Sequence, residues 1–299
     1  ADAKHVTSTI FNGKPLIAYT DSKSGILKIA IWDGKVWKKS TVDGAGGTGG
    51  RTKSAISSSI SLCVNGSGLA QTLHIFYSES DDRDLHYASY DGKKFLYEIV
   101  DGNGVQVNDY KDPIRVRTGS DVSISNACVA TSGGIQVFYR DESQGVLLGA
   151  VRTKGAPWRY ELLDGDRKTD GRTTGDVGFH LKASVKQDQI HLIYDSVKGF
   201  DAERNVTRGE IRYATRNSAS SLDWKYRNLD LPSDRIYAAG YDVGIYNSSK
   251  GVEVGWFTAS GSLFPNPDSL KYQELNSLTP KSVQPNSHGT PNSPISIDS

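Results

Sequence analysis

The sequence predicts an all-β chain, a five-bladed β-propeller with four antiparallel strands per blade. Three observations point there. Short runs alternate apolar and polar residues between Gly, Asp, Asn and Ser punctuation, the signature of strands and turns, and helical periodicity is nearly absent. A strand, turn, strand and aromatic recur in order along the chain. Each copy follows one more alternating segment, which makes four strands in a unit of roughly 50 residues, the period of a propeller blade.

The copies can be taken in order. "PLIAYTDSKSGILKIAIWDGKVWKKSTVDG" is followed by "LHIFYSESDDRDLHYASYDGKKFLYEIVDG" and "IQVFYRDESQGVLLGAVRTKGAPWRYELLDG", then by a longer copy from Ile190 to Asp230. Tyr19, Tyr77, Tyr139 and Tyr194 coincide, as do Leu27, Leu85, Leu147 and Ile211, and Ala30, Ala88, Ala150 and Ala214. The aromatics Trp37, Phe95, Trp158 and Trp224 coincide as well. A degraded fifth copy, "VEVGWFTASGSLFPNPDSLKYQEL", puts Trp256 in the tyrosine position. The preceding segments, "HVTSTIF", "AISSSISLCV", "DVSISNACVA", "DVGFHLKASV" and "YDVGIYNS", supply the first strand of each unit. One four-stranded blade cannot bury both of its faces, so the repeated large and small residues are expected to pack blade against blade. The repeat occupies residues 1–276; residues 277–299, rich in Pro, Ser and Asn, read as a flexible tail.

Composition narrows the function classes. With 35 Lys and Arg against 34 Asp and Glu, the net charge is +1, and the chain lacks the basic field of a general nucleic-acid binder. No apolar run approaches the ~20 residues of a membrane span. A start at Ala1, and the sequons at Asn65, Asn205 and Asn247, suggest a secreted glycoprotein. Cys63 and Cys128 fall at matching places in neighbouring first strands, either bonded or as two buried thiols. No phosphate loop, metal cluster or dinucleotide fingerprint is present, and no cofactor is expected.

Before each new first strand stands an arginine: Arg51, Arg117, Arg172 and Arg235. Each either ties down its own loop, through Asp43, Asp101, Asp164 or Asp230, or faces a shared axial space as part of a cationic ring that grips a carboxylate or sulfate. Polar residues that break the repeat mark a single site better. His180 shares a strand face with Asp176, Asp121 is the counterpart of Asp176 in the preceding blade, and blade five brings Tyr237, Tyr241 and Asp242. His180 with Asp121, Asp176 and Asp242 form the expected catalytic set if chemistry occurs, moving protons on a sugar whose charge the arginines offset. The arginines, Tyr237 and Tyr241 form the expected ligand-binding set.

The pattern "hxhhYxDxxxGxLxxAxxDGxxW" of strands two and three resembles the fungal fucose-specific lectins and the secreted sialidase-like propellers. The resemblance implies a carbohydrate ligand. In the fucose lectins the sites between blades use an Arg on strand two, a Glu on strand three and an aromatic residue. Here the strand-two places hold Leu16, His74, Gln136 and His191, and the strand-three places hold Ile29, Tyr87 and Gly149. The expected function is that of a secreted lectin-like propeller binding carbohydrate, acidic glycans included. The alternative is an enzyme of the axial funnel: a glycoside hydrolase, a polysaccharide lyase, or a cyclase-type catalyst on a small molecule.

Overall fold

A computed structural model describes residues 2–46, 49–57, 59–104, 114–166, 169–200, 206–217, 223–230, 237–260, 269–275 and 281–283. The chain is a five-bladed β-propeller, and among the described residues it has no helix. Blade one comprises β1 (Ala3–Phe11), β2 (Lys14–Asp21), β3 (Leu27–Trp32) and β4 (Trp37–Asp43). Blade two comprises β5 (Ser61–Asn65), β6 (Thr72–Ser78), β7 (Leu85–Tyr90) and β8 (Phe95–Asp101). Blade three holds β10 (Val122–Thr131), β11 (Gly134–Asp141), β12 (Val146–Arg152) and β13 (Arg159–Asp164), with the short β9 (Ile114–Arg115) along its edge.

Blade four holds β14 (Val177–Lys186), β15 (Gln189–Phe200), β16 (Val206–Arg216) and β17 (Lys225–Asp230). Blade five holds β18 (Tyr237–Asn247), β19 (Val252–Ser260), β20 (Ser269–Glu274) and β21 (Lys281–Val283), and one parallel bridge, Arg208 to Tyr237, joins the two. Its fourth strand lies past Asn276, where the repeat fades from the sequence. The chain forms two compact units: Ala1–Gln144 with Leu148–Leu162, and Gly145–Leu147 with Leu163–Ser299.

Alternation along the strands builds the cores. In the first unit Leu16, Ala18 and Ile29 of blade one meet Leu73, Ile75 and Tyr77 of blade two in a single buried cluster. In the second, Ile193 and Ile211 of blade four meet Val243, Val254 and Trp256 of blade five. Burial at about 25 cal/mol per Å² of apolar surface stabilises each junction only once two blades are in place. Trp158 packs edge-on against Phe76 and Tyr87, as expected of an inter-blade aromatic. Trp37 instead sits 40 % exposed on Trp32 of its own hairpin.

The arginine refrain is resolved by its neighbours. Blades one to four each end in a buried aspartate: Asp43, Asp101 and Asp164 are fully buried, and Asp230 nearly so. The following Gly44, Gly102 and Gly165 turn the chain at φ of +89°, +109° and +106°, a region that glycine enters without a Cβ penalty. Oδ1 then accepts the N–H of the residue after each refrain arginine: Thr52, Thr118 and Thr173, at 2.7 to 2.9 Å. Oδ2 accepts the hydroxyl of the next blade's repeated tyrosine: Tyr77, Tyr139 and Tyr194. Trp256 does the same for Asp230 through its indole N–H at 2.8 Å. These latches give the repeated tyrosine position of blades two to four, and the tryptophan that replaces it in blade five, their purpose.

Candidate functional site

The refrain arginines serve their own loops. Arg172 is buried and paired with Asp166, Arg117 donates to the carbonyl of Ile99, and Arg51 lies 4.0 Å from Asp43. Arg235 falls outside the described residues, as do the side chains of Tyr237 and Tyr241 on β18. Asn65 is exposed at the end of β5, Asn247 donates its amide to the carbonyl of Val185, and Asn205 lies outside the described residues. Cys63 and Cys128 form a disulfide that joins β5 to β10, with 5.8 Å between the Cα atoms.

Two constellations remain, both in the second unit. The first centres on His180. The first strands carry bulges, with register breaks at 4/7 in β1, 122/126 in β10, 179/182 in β14 and 239/243 in β18. His5 and His180 occupy equivalent bulges and take φ of +50° and +48°, left-handed values uncommon for residues other than Gly, which Asn, Asp and His enter more readily than the rest. The bulge aims the His180 ring at Asp195 of β15, with Nδ1 to Oδ2 at 2.8 Å. The ring is half exposed while Asp195 is buried, and its Oδ1 has no hydrogen-bond partner.

Burial pushes the Asp195 carboxyl up to about 6 against the pull of His180, and the charge of Asp242 pushes it the same way. Burial lowers the affinity of His180 for its proton, but Asp195 and Asp242 outweigh that and raise it. The structure thus brings together His180 and Asp242 of the expected set and adds Asp195. Asp176 lies half-buried just before β14 and is not the partner of His180, and Asp121 pairs with Arg83 in the other unit.

The second constellation is a pocket of about 580 Å³ between blades four and five. Its walls include His191, Tyr213, Thr215, Tyr226 and Gln189, with Lys186, Lys225, Arg227 and Lys250 around them. His191 is the blade-four strand-two place at which the sequence departs from the fucose-lectin pattern, and Tyr213 of β16 is the counterpart of Tyr87. His191 Nδ1 meets the Tyr213 hydroxyl at 2.6 Å, and the guanidinium of Arg227 lies over the Tyr213 ring, 5.3 Å from its centre. His191 is buried and its Nε2 has no partner. Burial, and then Lys186, push its pKa down to about 4, so the ring is neutral at pH 7.

Among the described residues no group of three or more His, Cys, Asp or Glu side chains is placed to hold a metal, and no helix is long and apolar enough to cross a membrane.

No family model matches the chain, and no curated protein does. Solved structures do. A fucose-specific lectin from Aleuria aurantia is similar over 93 % of this chain and 76 % of its own, with 12 % identity and a TM-score of 0.49. A Hadza microbial sialidase is similar over 94 % of this chain but 58 % of its own, at 9 % identity and 0.49. A glycoside hydrolase matches 87 % of this chain and 86 % of its own, at 12 % identity and 0.44. What each of these proteins binds or cleaves is a property of that protein, and the likeness assigns no ligand to this chain.

Proposed function

We propose that the protein binds carbohydrate in a lectin-like manner, through the pocket between blades four and five. The observation that carries this reading is the composition of that pocket. The ring of Tyr213 stands beside amide, hydroxyl and imidazole groups in about 580 Å³, a volume that suits one or two sugar rings. A sugar presents C–H faces that stack on aromatic rings and hydroxyls that need directional partners, and this lining offers both. Secretion is part of the proposal, supported by the disulfide between Cys63 and Cys128 and by the exposed sequon at Asn65.

The test is incubation with a panel of neutral and acidic glycans, reading retention and product mass together. Retention at unchanged mass supports the binder, and no retention by any glycan refutes it. A second reading, a hydrolase or lyase, is favoured by one specific arrangement. His180 is held by a buried carboxylate, with its ring half exposed and Asp242 close enough to raise its pKa. That is the environment of a general acid or base. Altered product mass that disappears in His180→Gln would support the enzyme.

A further inference from the structure

We propose that the pocket between blades four and five selects an anionic saccharide, one bearing a carboxylate or sulfate that pairs with Arg227. The inference rests on the carbohydrate reading above and adds the ligand's charge.

It comes from comparing the pocket with its own repeat. Blade two contains the same pair: His74 Nδ1 meets the Tyr87 hydroxyl at 2.6 Å, as His191 meets Tyr213. There the position is filled from blade three. Arg152 lies 5.6 Å over the Tyr87 ring and 4.3 Å over Trp158, and it forms a two-pronged ion pair with Glu98. The charges of Arg152 and Glu98 cancel.

The strand register carries each of these residues onto blades four and five. Tyr87 pairs with Glu98 as Tyr213 pairs with Arg227, so Arg227 stands where Glu98 does. Arg216 pairs with Ile190 in blade four, and in blade five the N–H of Leu275 bonds the carbonyl of Val252, which occupies the place of Ile190. Arg152 and Arg216 occupy the same place in their own blades, so Leu275 stands where the covering arginine does. An internal pair of opposite charges has become one cation beside a leucine, and the pocket opens beside them. Besides lying over the Tyr213 ring, Arg227 donates from Nη2 to the carbonyl of Leu275 at 3.3 Å.

The surroundings reinforce the sign of the charge. Among the described residues, four cationic side chains line the pocket and no carboxylate does. Glu253, behind the lining, is bonded to the Tyr272 hydroxyl and offsets part of Lys186 and Lys250. The buried Nε2 atoms of His191 and His74 are both unpartnered, and at His191, which lines the pocket, a ligand atom would recover the free energy that an unmet buried polar atom costs. When the Tyr213 hydroxyl donates to Nδ1, the ring proton sits on Nε2 and is offered to an acceptor. Arg227 supplies the planar fork that matches a carboxylate or sulfate.

The experiment compares neutral oligosaccharides, uronate- and sulfate-bearing oligosaccharides, and inorganic sulfate by calorimetric titration of the full chain. The inference expects acidic glycans to bind at least about tenfold more tightly than neutral ones, weakening as salt rises from about 0.05 to 0.5 M. Arg227→Glu, which restores the residue of blade two at an exposed position, is expected to abolish the preference. Leu275→Arg is expected to weaken all binding by filling the space, and Lys225→Gln, on the exposed rim, to weaken only the acidic ligands. Equal affinity for neutral and acidic glycans, with Arg227→Glu unchanged, overturns the anionic inference and leaves the carbohydrate reading standing. Inorganic sulfate binding as tightly as a sulfated glycan upholds the anion site and overturns the carbohydrate reading. Absence of all binding overturns both.

Discussion

Replacing Asp164 by alanine tests how the blades are joined. The carboxylate is fully buried and accepts from Gly165 N–H at 2.9 Å, Thr173 N–H at 2.7 Å, the Tyr194 hydroxyl at 2.7 Å and Arg212 Nε at 2.7 Å. Arg212 is itself 4 % exposed and would keep the Asn228 side chain and the Gly171 carbonyl, both at 2.6 Å, with the Glu210 carboxylate no nearer than 4.0 Å. Breaking a buried ion pair from one side costs about 3–5 kcal/mol, because the remaining charge has no solvent. Each orphaned donor adds about 1–3 kcal/mol, less than additively within one network. We expect Asp164→Ala to cost about 4–6 kcal/mol.

Asp43→Ala is the internal control. Asp43 holds Gly44, Thr52 and Tyr77 in the same way, but its arginine, Arg51, is 4.0 Å distant and 25 % exposed. It should cost about 2–4 kcal/mol, and the difference reports the stranded Arg212. Urea unfolding followed by tryptophan fluorescence gives the totals, and hydrogen exchange assigns them to each unit, because two units need not unfold together. Arg212→Met in the Asp164→Ala background should recover part of the loss. Equal costs at Asp43 and Asp164, with no rescue by Arg212→Met, would refute the reasoning.

The histidines set a pH dependence. Burial, and then a neighbouring Arg152 or Lys186, lower His74 and His191 to about 4, so the unfolded chain binds their protons first. Stability should therefore fall as pH drops from 6.5 to about 4, by on the order of 3 kcal/mol per histidine, and His74→Gln with His191→Gln should flatten a Tm-versus-pH curve in that window. Reducing the disulfide releases a crosslink across 65 residues and should cost about 4 kcal/mol by the chain-entropy estimate, seen as a drop in Tm with dithiothreitol that Cys63→Ser with Cys128→Ser reproduces. Tyr139→Phe removes one hydroxyl from Asp101 and should cost about 2 kcal/mol in urea unfolding, whereas a loss under about 0.5 kcal/mol would mean the latch is dispensable at that joint.

The blade repeat is legible in the sequence because strand alternation, turn residues and a fixed period are local signals. The tyrosine position is equally visible, but its purpose is not: the partner aspartate lies some 30 to 40 residues upstream, at the end of the previous repeat. The arginines draw attention by their charge, whereas the group that closes each latch is the backbone N–H of the adjacent threonine, which carries no side-chain signal. Asp195 is hidden for a related reason. It faces Phe179 in the strand register, and only the bulge and the left-handed backbone of His180 turn the ring toward it. The pocket is a difference between repeats, written as Arg227 against Glu98 and Leu275 against Arg152. It is readable once the degraded fifth copy is aligned strand by strand.

The placement of the latch also says how the chain tolerates rearrangement. Its halves belong to successive repeats, and the tyrosines that complete it are interchangeable: Tyr77, Tyr139 and Tyr194 meet Asp43, Asp101 and Asp164 in one geometry. Excising the span from Gly44 to Asp101 would bring Asp43 directly before the loop of Thr118 and Tyr139, and the joint would be remade with its native chemistry. A cut within a repeat, between a terminal aspartate and the tyrosine that follows it, leaves a buried carboxylate without a mate. The unit that can be gained or lost with the latch intact is therefore one full period counted from latch to latch, although at blade two its loss also removes Cys63 and leaves Cys128 without its bond.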